Sequence, residues 1–246
     1  MRNAVLGIQS PYRPGPDPNF PYLRENDYFP FPSSKKWDDN IIAVGGNLSP
    51  GMLLSAYEQG IFPWYNPGDP VIWQSPDPRC VIFPGKLHIS SSMQKILNNG
   101  TFSLKFDNDF PGVIRGCAEV YRPGQGSGVS DPNTSLTWIS DDIIEAYTEL
   151  YRLGWAHCAE AWQDGVLAGG CYGILMGRVF MGESMFSKRS NASKAALLNL
   201  AEKLFKDGLA FIDCQVPTNH LLSLGGESIS RKDFLKLLKM YCGSRL

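Results

Sequence analysis

Three polar side chains in the second half of the chain could act together on an amine. Asp213 and Gln215 lie two residues apart in an apolar segment, and Glu183 lies in another. Successive side chains of a strand point to opposite faces, so we expect Asp213 and Gln215 to share one face and Ile212 and Cys214 the other. Taken alone, this pattern favours a structural role for the polar pair.

The chemistry open to these side chains is the direct attack of an amine on an activated ester. Such a reaction needs alignment of the reactants, a proton acceptor and a place for the oxyanion. Asp213 and Gln215 could form a proton relay, and Glu183 could hold an ammonium group. The residues permit this chemistry without requiring it.

Motifs for other chemistries are missing from the sequence. Residues 182–186 lack the final glycine of a G-x-S-x-G elbow, so Ser184 is a weak nucleophile candidate. Cys214 could pair with His157 or His220, but alternation predicts that its thiol faces the core. The 6 cysteines and 3 histidines show neither a CxxC pair nor helical metal spacing, which predicts reduced thiols, no metal site and no cofactor.

Bulk composition excludes several classes of protein. The chain has 246 residues, 23 of them basic and 24 acidic, so it has no overall charge that would attract nucleic acid. No apolar run is long enough for a membrane span, and the polar, proline-rich start lacks the apolar core of a signal peptide. We therefore expect a cytoplasmic protein without membrane contact, and we expect it to be a monomer.

The elements that must position Glu183, Asp213 and Gln215 form an α+β pattern. Alternation predicts three strands at 156–163, 166–175 and 179–184 and a final strand at 209–215. Helical periodicity predicts one helix, at 193–206, between the third strand and the last. Asp164-Gly165 is a strong hairpin signal between the first two strands. A helix that crosses over between two strands indicates a mixed sheet flanked by helices.

The first third of the chain is rich in proline. Residues 1–40 contain seven prolines and are predicted to form an extended arm, with Phe29, Phe31 and Trp37 docked on a neighbouring surface. Five prolines in residues 61–79 predict no regular element there. The aromatic residues of that stretch are expected to pack or, alternatively, to offer a stacking platform for a base.

Several strings of residues resemble those of bacterial leucyl/phenylalanyl-tRNA–protein transferases. They cover most of the chain from 41 to 241 in the correct order. The strings are Gly-Gly-Asn-Leu-Ser-Pro at 45–50, Tyr-Glu-Gln-Gly-Ile-Phe-Pro-Trp at 57–64, Trp-x-Ser-Pro-Asp-Pro-Arg at 73–79, Leu-His-Ile-Ser at 87–90, Thr-Trp-Ile-Ser at 137–140, Gly-Glu-Ser-Met-Phe-Ser at 182–187, Asn-Ala-Ser-Lys at 191–194 and Ile-Asp-Cys-Gln at 212–215.

The resemblance implies a fold and an activity. It implies a small N-terminal α/β domain, residues 1–82, followed by a GNAT-like (acyl-CoA N-acyltransferase-like) mixed-sheet domain, residues 83–246. It also implies transfer of leucine or phenylalanine from aminoacyl-tRNA to the α-amine of an acceptor protein. The acceptor would begin with Arg or Lys, and the product would be marked for degradation in the N-degron pathway.

Site residues follow from the resemblance by motif. Asp213 and Gln215 are similar to the family's relay residues near the attacking amine, and Glu183 would lie by the aminoacyl amino group. We favour an orienting role for Asp213, since an aspartate with a pKa of about 3.9 is a poor base. Residues implied to hold the tRNA 3′-terminal adenosine are Tyr57, Trp64, Trp138 and Tyr147. Residues implied to form the leucine or phenylalanine pocket are Phe180, Met185, Leu197 and Ile212.

Two other functions stay open at this stage. A GNAT-type acetyltransferase would carry a glycine-rich pyrophosphate loop, but residues 188–193 contain no glycine. A non-catalytic binder of tRNA ends or protein N-termini would use the same polar pair only for hydrogen bonds. The helix expected after Leu-His-Ile-Ser contains one basic residue, Lys95, where the family's helix is often strongly basic.

Overall fold

The structure is a computed structural model, and it describes residues 4–6, 16–34, 39–120 and 137–243. Within these residues the chain forms two sheets, one of four strands and one of seven, with helices packed against them. Trp37 and the glycine-rich segment 123–134 lie outside the described residues. The predicted α+β class with a mixed sheet is confirmed.

The larger sheet carries the residues singled out in the second half of the chain. Its strands, in spatial order, are β11 (Glu227–Ile229), β5 (Arg79–Ile82), β10 (Phe211–Gln215), β9 (Val179–Ser187), β8 (Val166–Met176), β7 (Ala156–Gln163) and β6 (Ser103–Phe106). All neighbours are antiparallel except β9 and β10, which run parallel. The predicted turn at Asp164-Gly165 joins β7 to β8, and both residues have the positive φ that such a turn needs.

Helix α5 (Ala192–Lys206) provides the crossover that two parallel strands require. Small residues allow it to approach the sheet closely: a Cβ added at Gly169 of β8 would lie 2.7 Å from the Cβ of Ala192. The predicted helix 193–206 is therefore confirmed within one residue. Because α5 joins β9 to β10 in parallel, residue 215 at the end of β10 comes to lie near residue 183 in the middle of β9.

Two helices cover the opposite face of the larger sheet. These are α3 (Phe110–Glu119) and α4 (Asp141–Arg152), which begin at caps formed by Asp109 and Ser140. Their apolar positions face the sheet, and Tyr147 and Leu150 of α4 are buried. Helix α4 thereby places the Tyr147 side chain behind strand β9.

The smaller sheet corrects one prediction. Its order is β1 (Ala4–Leu6), β2 (Ile41–Gly45), β4 (Ile72–Gln74) and β3 (Phe62–Pro63). The prediction that residues 61–79 contain no regular element is wrong, because β3, β4 and the start of β5 fall there. Proline is tolerated in β3 because β3 is an edge strand, where a missing N–H costs no ladder hydrogen bond.

The N-terminal arm packs on the smaller sheet. Phe31 is buried, and its ring lies 5.1 Å from that of Trp73 and 5.2 Å from that of Phe29. The predicted docking of Phe29 and Phe31 is therefore confirmed. Helix α1 (Pro50–Glu58) lies beneath the arm, where Ser55 accepts a hydrogen bond from the backbone N–H of Phe29.

The two sheets share one hydrophobic core, which includes Trp73, Val81 and Phe211. Strand β5 belongs to the larger sheet because it pairs with β10 and β11. The predicted domain boundary at residue 82 stays a prediction. Because β5 is hydrogen bonded only to strands of the larger sheet, the chain passes from the smaller sheet to the larger one before residue 79. The remaining helices are α2 (Ser91–Asn98), α6 (Asn219–Ser223) and α7 (Arg231–Tyr241).

No helix in the described part of the chain is long and apolar enough to cross a membrane.

Candidate functional site

A cavity of about 280 Å3 opens at the end of β10, beside the middle of the parallel strand β9. Its walls come from both sheets, since Phe62 and Trp64 at β3 line it together with residues of β8, β9 and β10. One wall is apolar, formed by Phe180, Met185, Leu197, Ile212, Cys171 and Leu221. Polar groups on the lining are those of Glu183, Ser184, Gln215, Thr218 and His220.

A shift of register in β10 decides which of its side chains reach the cavity. Asp213 is paired with Val81 and Gln215 with the next residue, Cys80, so that Cys214 is an extra residue. Gln215 has a φ of 60°, in the left-handed region. As a result Ile212, Cys214 and Gln215 line the cavity, and Asp213 does not.

This geometry corrects two predictions. Asp213 and Gln215 do not share a face, because strict alternation fails once one residue is inserted into the strand. Cys214 is half-buried and lines the cavity, so its predicted place in the core is also wrong. The mixed polar and apolar order of residues 211–215 gives no sign of the extra residue.

Asp213 lies behind the cavity wall in a buried ion pair with Arg79. Asp213 is 0% exposed and Arg79 1% exposed. The guanidinium donates from Nε to Oδ1 at 2.8 Å and from Nη2 to Oδ2 at 2.6 Å. Asp213 Oδ1 also accepts the backbone N–H of Gln215 at 2.9 Å. Both carboxylate oxygens of Asp213 are therefore held by the protein.

Glu183 is the cavity's carboxylate, and a chain of hydrogen bonds holds it. Gln215 Nε2 donates to Glu183 Oε1 at 2.8 Å, and the hydroxyl of Tyr147 donates to Glu183 Oε2 at 3.2 Å. The hydroxyl of Tyr57 in turn contacts that of Tyr147. Tyr57 and Tyr147 are both buried and neither lines the cavity.

The surroundings of Glu183 change its acidity. Burial is the main cause that raises the pKa of Glu183, to about 8, and the negative charge of Asp213 adds to it. Hydrogen bonds from Tyr57 and Tyr147 and the charge of Arg79 act in the opposite direction. Burial also raises the pKa of Tyr57 and of Tyr147 well above the usual range. Glu183 is therefore a weaker acid than an ordinary glutamate, and both tyrosines remain hydroxyl donors.

The cavity's other titratable groups are less suited to proton transfer. The thiols of Cys214 and Cys80 are hydrogen bonded, and this bond together with burial raises the pKa of Cys214 well above its ordinary value. Burial, with the charge of Lys194, lowers the pKa of His220. His157 is bound elsewhere, with its Nδ1 2.6 Å from Asp107 Oδ2, so no Cys214–His157 pair forms.

The predicted site residues divide into two groups. Glu183, Gln215, Trp64, Trp138, Phe180, Met185, Leu197 and Ile212 line one cavity. Asp213, Tyr57 and Tyr147 lie behind its wall and contact residues that line it. In the part of the chain that the structure describes, no three histidine, cysteine, aspartate or glutamate side chains lie close enough together to hold a metal ion.

Sequence reasoning missed Arg79 as a functional residue. The available signal was an arginine directly followed by the apolar run Cys80-Val81-Ile82-Phe83. A charged residue next to a buried strand must either lie at the surface or find a buried partner. Thr218 was also missed, because nothing in its local sequence places it at a cavity.

Comparisons with known proteins find sequence relatives over most of the chain. A model of the leucyl/phenylalanyl-tRNA protein transferase family matches residues 81–239, and a model of that family's N-terminal domain matches residues 46–77. The leucyl/phenylalanyl-tRNA–protein transferase of Syntrophobacter fumaroxidans is 49% identical over 88% of this chain and 88% of its own. That of Hahella chejuensis is 46% identical over 91% of this chain and 92% of its own.

Solved structures are more distant. L-PGS from Bacillus licheniformis is 13% identical, with a TM-score of 0.40 over 69% of this chain and 54% of that chain. A GCN5-related N-acetyltransferase from Kribbella flavida is 11% identical, with a TM-score of 0.37 over 74% of this chain and 62% of that chain. The assignment therefore rests on the sequence relatives and the family models, which together show that the chain belongs to the leucyl/phenylalanyl-tRNA–protein transferase family.

Proposed function

We propose that the protein transfers leucine or phenylalanine from an aminoacyl-tRNA to the N-terminal α-amine of an acceptor protein. The observation that carries this proposal is one cavity in which an apolar wall adjoins the hydrogen-bonded pair Glu183 and Gln215. An aminoacyl ester needs both features side by side, an apolar pocket for its side chain and polar groups for its amino and carbonyl groups. The names of the relatives support the same activity.

The apolar wall suits a leucine or phenylalanine side chain. Phe180, Met185, Leu197 and Ile212 line the cavity, and burial of such a side chain contributes roughly 1.5–3 kcal/mol. A hydrophobic pocket distinguishes substrates that differ by one methylene by only about 1–3 kcal/mol. Acceptance of both amino acids is the expected consequence.

The aromatic residues Trp64 and Trp138 are the groups that could stack on the terminal adenosine, since both line the cavity. Stacking of a base on an aromatic ring contributes about 1–3 kcal/mol. Tyr57 and Tyr147 are buried instead, so their contribution is to Glu183. We assign the adenosine to the two tryptophans and the positioning of Glu183 to the two tyrosines.

The reaction replaces the ester bond of the donor by an amide bond and moves one proton. The nitrogen of the acceptor α-amine attacks the carbonyl carbon of the ester, the new C–N bond forms, and the bond from that carbon to the ribose oxygen breaks. The amine loses a proton, and the ribose oxygen gains one. An α-amine has a pKa of roughly 7.7–8.0, so much of it is already neutral at cellular pH.

Glu183 and Gln215 are the side chains placed to align that amine. A carboxamide that donates through Nε2 presents Oε1 as an acceptor, and this oxygen can receive an N–H of the attacking amine. Glu183 binds the amino group of the aminoacyl donor. Asp213 is buried and held through both oxygens, so it acts through Gln215 and takes no proton from the amine.

The acceptor and the setting are extensions of this proposal. We expect an acceptor protein that begins with Arg or Lys and is marked for degradation by the transfer. We also expect the protein to act as a monomer in the cytoplasm. A panel of peptides that begin with Lys, Arg, Asp or Glu tests the first point, and sedimentation of the purified protein tests the oligomeric state.

One assay tests the proposed function. Purified protein is mixed with labelled leucyl-tRNA and each peptide of the panel, and the acid-stable label in the peptide is measured. We expect label in the peptides with basic N-termini. If folded protein binds leucyl-tRNA and labels no peptide, the proposed transfer is wrong and the protein is a non-catalytic binder.

A further inference from the structure

Arg79 lies outside the cavity, yet it contacts four parts of the fold that meet behind the cavity wall. Its guanidinium donates twice to Asp213 and once, from Nη1, to the carbonyl of Gly60 at 3.2 Å. The ring centroids of Phe62 and Phe234 lie 4.9 Å and 4.3 Å from its Cζ atom. An arginine held on this many sides has little freedom to move.

We propose that Arg79 is a positioning residue for the transfer reaction, which holds Gln215 against Glu183 by fixing the carboxylate of Asp213. The inference rests on the proposed function for its effect on rate. Its structural part, the dependence of the Gln215 side chain on Arg79, can be tested without any transfer.

The first step of the argument is the strained backbone of Gln215. A residue other than glycine in the left-handed region is strained and persists there only where the surrounding structure holds it, and the φ of Gln215 is 60°. The support present is the hydrogen bond from the Gln215 N–H to Asp213 Oδ1 at 2.9 Å. The bond fixes the backbone from which the Gln215 side chain reaches the cavity.

The second step is that Arg79 places the accepting oxygen. Oδ1 of Asp213 accepts two hydrogen bonds, one from Nε of Arg79 at 2.8 Å and one from the backbone N–H of Gln215 at 2.9 Å. The planar guanidinium binds both carboxylate oxygens at once, which sets the rotation of the carboxylate as well as its location. A lysine has one ammonium group and cannot set that rotation.

The third step is that the effect ends on a residue of the cavity. Gln215 Nε2 donates to Glu183 Oε1 at 2.8 Å, and both residues line the cavity. A rotation of the Asp213 carboxylate would release the Gln215 backbone and displace its amide from Glu183. A misplacement of about 1 Å in such a group can reduce the rate about 100-fold.

The test compares Arg79→Lys with a matched control, Arg178→Lys. Arg178 also donates to a backbone carbonyl, that of Gly208 at 2.8 Å, lies over the ring of Tyr241, and does not line the cavity. We expect Arg79→Lys to lower kcat by about 10- to 100-fold and to leave KM for leucyl-tRNA within about twofold of wild type. Arg178→Lys should leave both constants unchanged.

A crystal structure of Arg79→Lys distinguishes positioning from a purely structural role. If Arg79 only stabilised the fold, the Gln215 side chain would keep its place in the folded variant. We expect the Gln215 amide to have left Glu183 while the rest of the sheet is retained. An unchanged kcat, or a Gln215 amide still hydrogen bonded to Glu183, would overturn the inference. If wild-type protein transfers nothing, the proposed function fails, and the crystal structure still decides the positional part.

A second variant covers the case in which Arg79→Lys does not fold. Replacement of a buried ion pair by apolar residues of similar size is often neutral for stability, so Arg79→Met combined with Asp213→Leu should fold. We expect this protein to bind a leucyl-adenosine in which an amide replaces the ester, and to lose transfer about 10-fold or more. Transfer at the wild-type rate would contradict the positioning role.

Discussion

Gln215 donates its side-chain N–H to Glu183, with 2.8 Å between Nε2 and Oε1, although the two residues lie 32 positions apart in the sequence. The contact exists because β9 and β10 run parallel with Asp213 beside Met181, so the end of β10 lies next to the middle of β9. It joins a strained strand end to a carboxylate that is also held from behind by Tyr147. The polar wall of the cavity is thus one connected structure, and a change in one member affects the others.

Replacement of Gln215 by leucine should slow transfer and spare substrate binding. Leucine has nearly the same volume and lacks both the donor to Glu183 and the acceptor for the amine. We expect kcat to fall by about 100-fold, as a lost polar contact to the reacting groups commonly does. Single-turnover transfer and the binding of a leucyl-adenosine amide are measured together. Gln163→Leu, at the end of β7, is the control, and equal losses in both variants would contradict the role of Gln215.

The raised pKa of Glu183 predicts how stability depends on pH. The native state holds a proton on this carboxyl up to a pKa of about 8, whereas an unfolded chain releases it near a pKa of about 4.3. Between these values the native state binds more protons, so the free energy of unfolding falls as the pH rises. Glu183→Gln removes this dependence.

We therefore expect Glu183→Gln to gain stability relative to wild type by more than about 1 kcal/mol between pH 5 and pH 9. Urea unfolding of both proteins across this range measures the difference. Glu149→Gln, on the exposed face of α4, is the control for a charge removed elsewhere. A constant difference between Glu183→Gln and wild type at all pH values would mean that the pKa of Glu183 is not raised.

Local elements were predictable from the sequence, because periodicity and caps are local properties. The crossover helix α5 forms within one residue of its predicted bounds, and the hairpin at Asp164-Gly165 forms as predicted. The grouping of Phe180 and Leu197 at one cavity came from the family resemblance, and the structure brings both to its wall. Patterns of this kind need no knowledge of which strands pair.

The relations behind the cavity wall were not predictable in this way. Alternation misplaced Asp213 and Cys214, since a one-residue shift of register depends on how β10 pairs with β5. Arg79 and Asp213 are 134 residues apart, and no local signal connects them. Likewise, the family resemblance implies that Tyr147 contacts the adenosine, whereas in the structure Tyr147 is buried and its hydroxyl donates to Glu183.

Loss of the Tyr147 hydroxyl should raise the pKa of Glu183 further. A hydrogen bond to the carboxylate favours its charged form, and Tyr147→Phe removes that donor. We expect the carbon-13 NMR titration of Glu183 to move to higher pH and the free energy of unfolding to fall by about 1 kcal/mol. Tyr151→Phe is a matched control on the same helix, because its hydroxyl donates to the carbonyl of Asp107. A titration moved equally by both variants would refute the Tyr147 contact.

Shortening Leu197 should change the choice between leucine and phenylalanine. Leu197→Ala enlarges the apolar end of the cavity, which removes contacts from a leucine side chain and makes room for the larger phenylalanine ring. We expect the ratio of kcat/KM for phenylalanyl-tRNA over leucyl-tRNA to rise by about 10-fold, the lower end of what one pocket group contributes.

Leu204→Ala provides the control for this change in specificity. Leu197 and Leu204 lie on the same helix, α5, and each is 6% exposed, but only Leu197 lines the cavity. Both variants should lose stability by a similar amount, since both remove buried methyl groups. The ratio should rise in Leu197→Ala alone. A loss of stability lowers kcat/KM equally for both aminoacyl-tRNAs, whereas a larger pocket favours the larger side chain. A ratio that rises in both variants would place the side-chain pocket elsewhere.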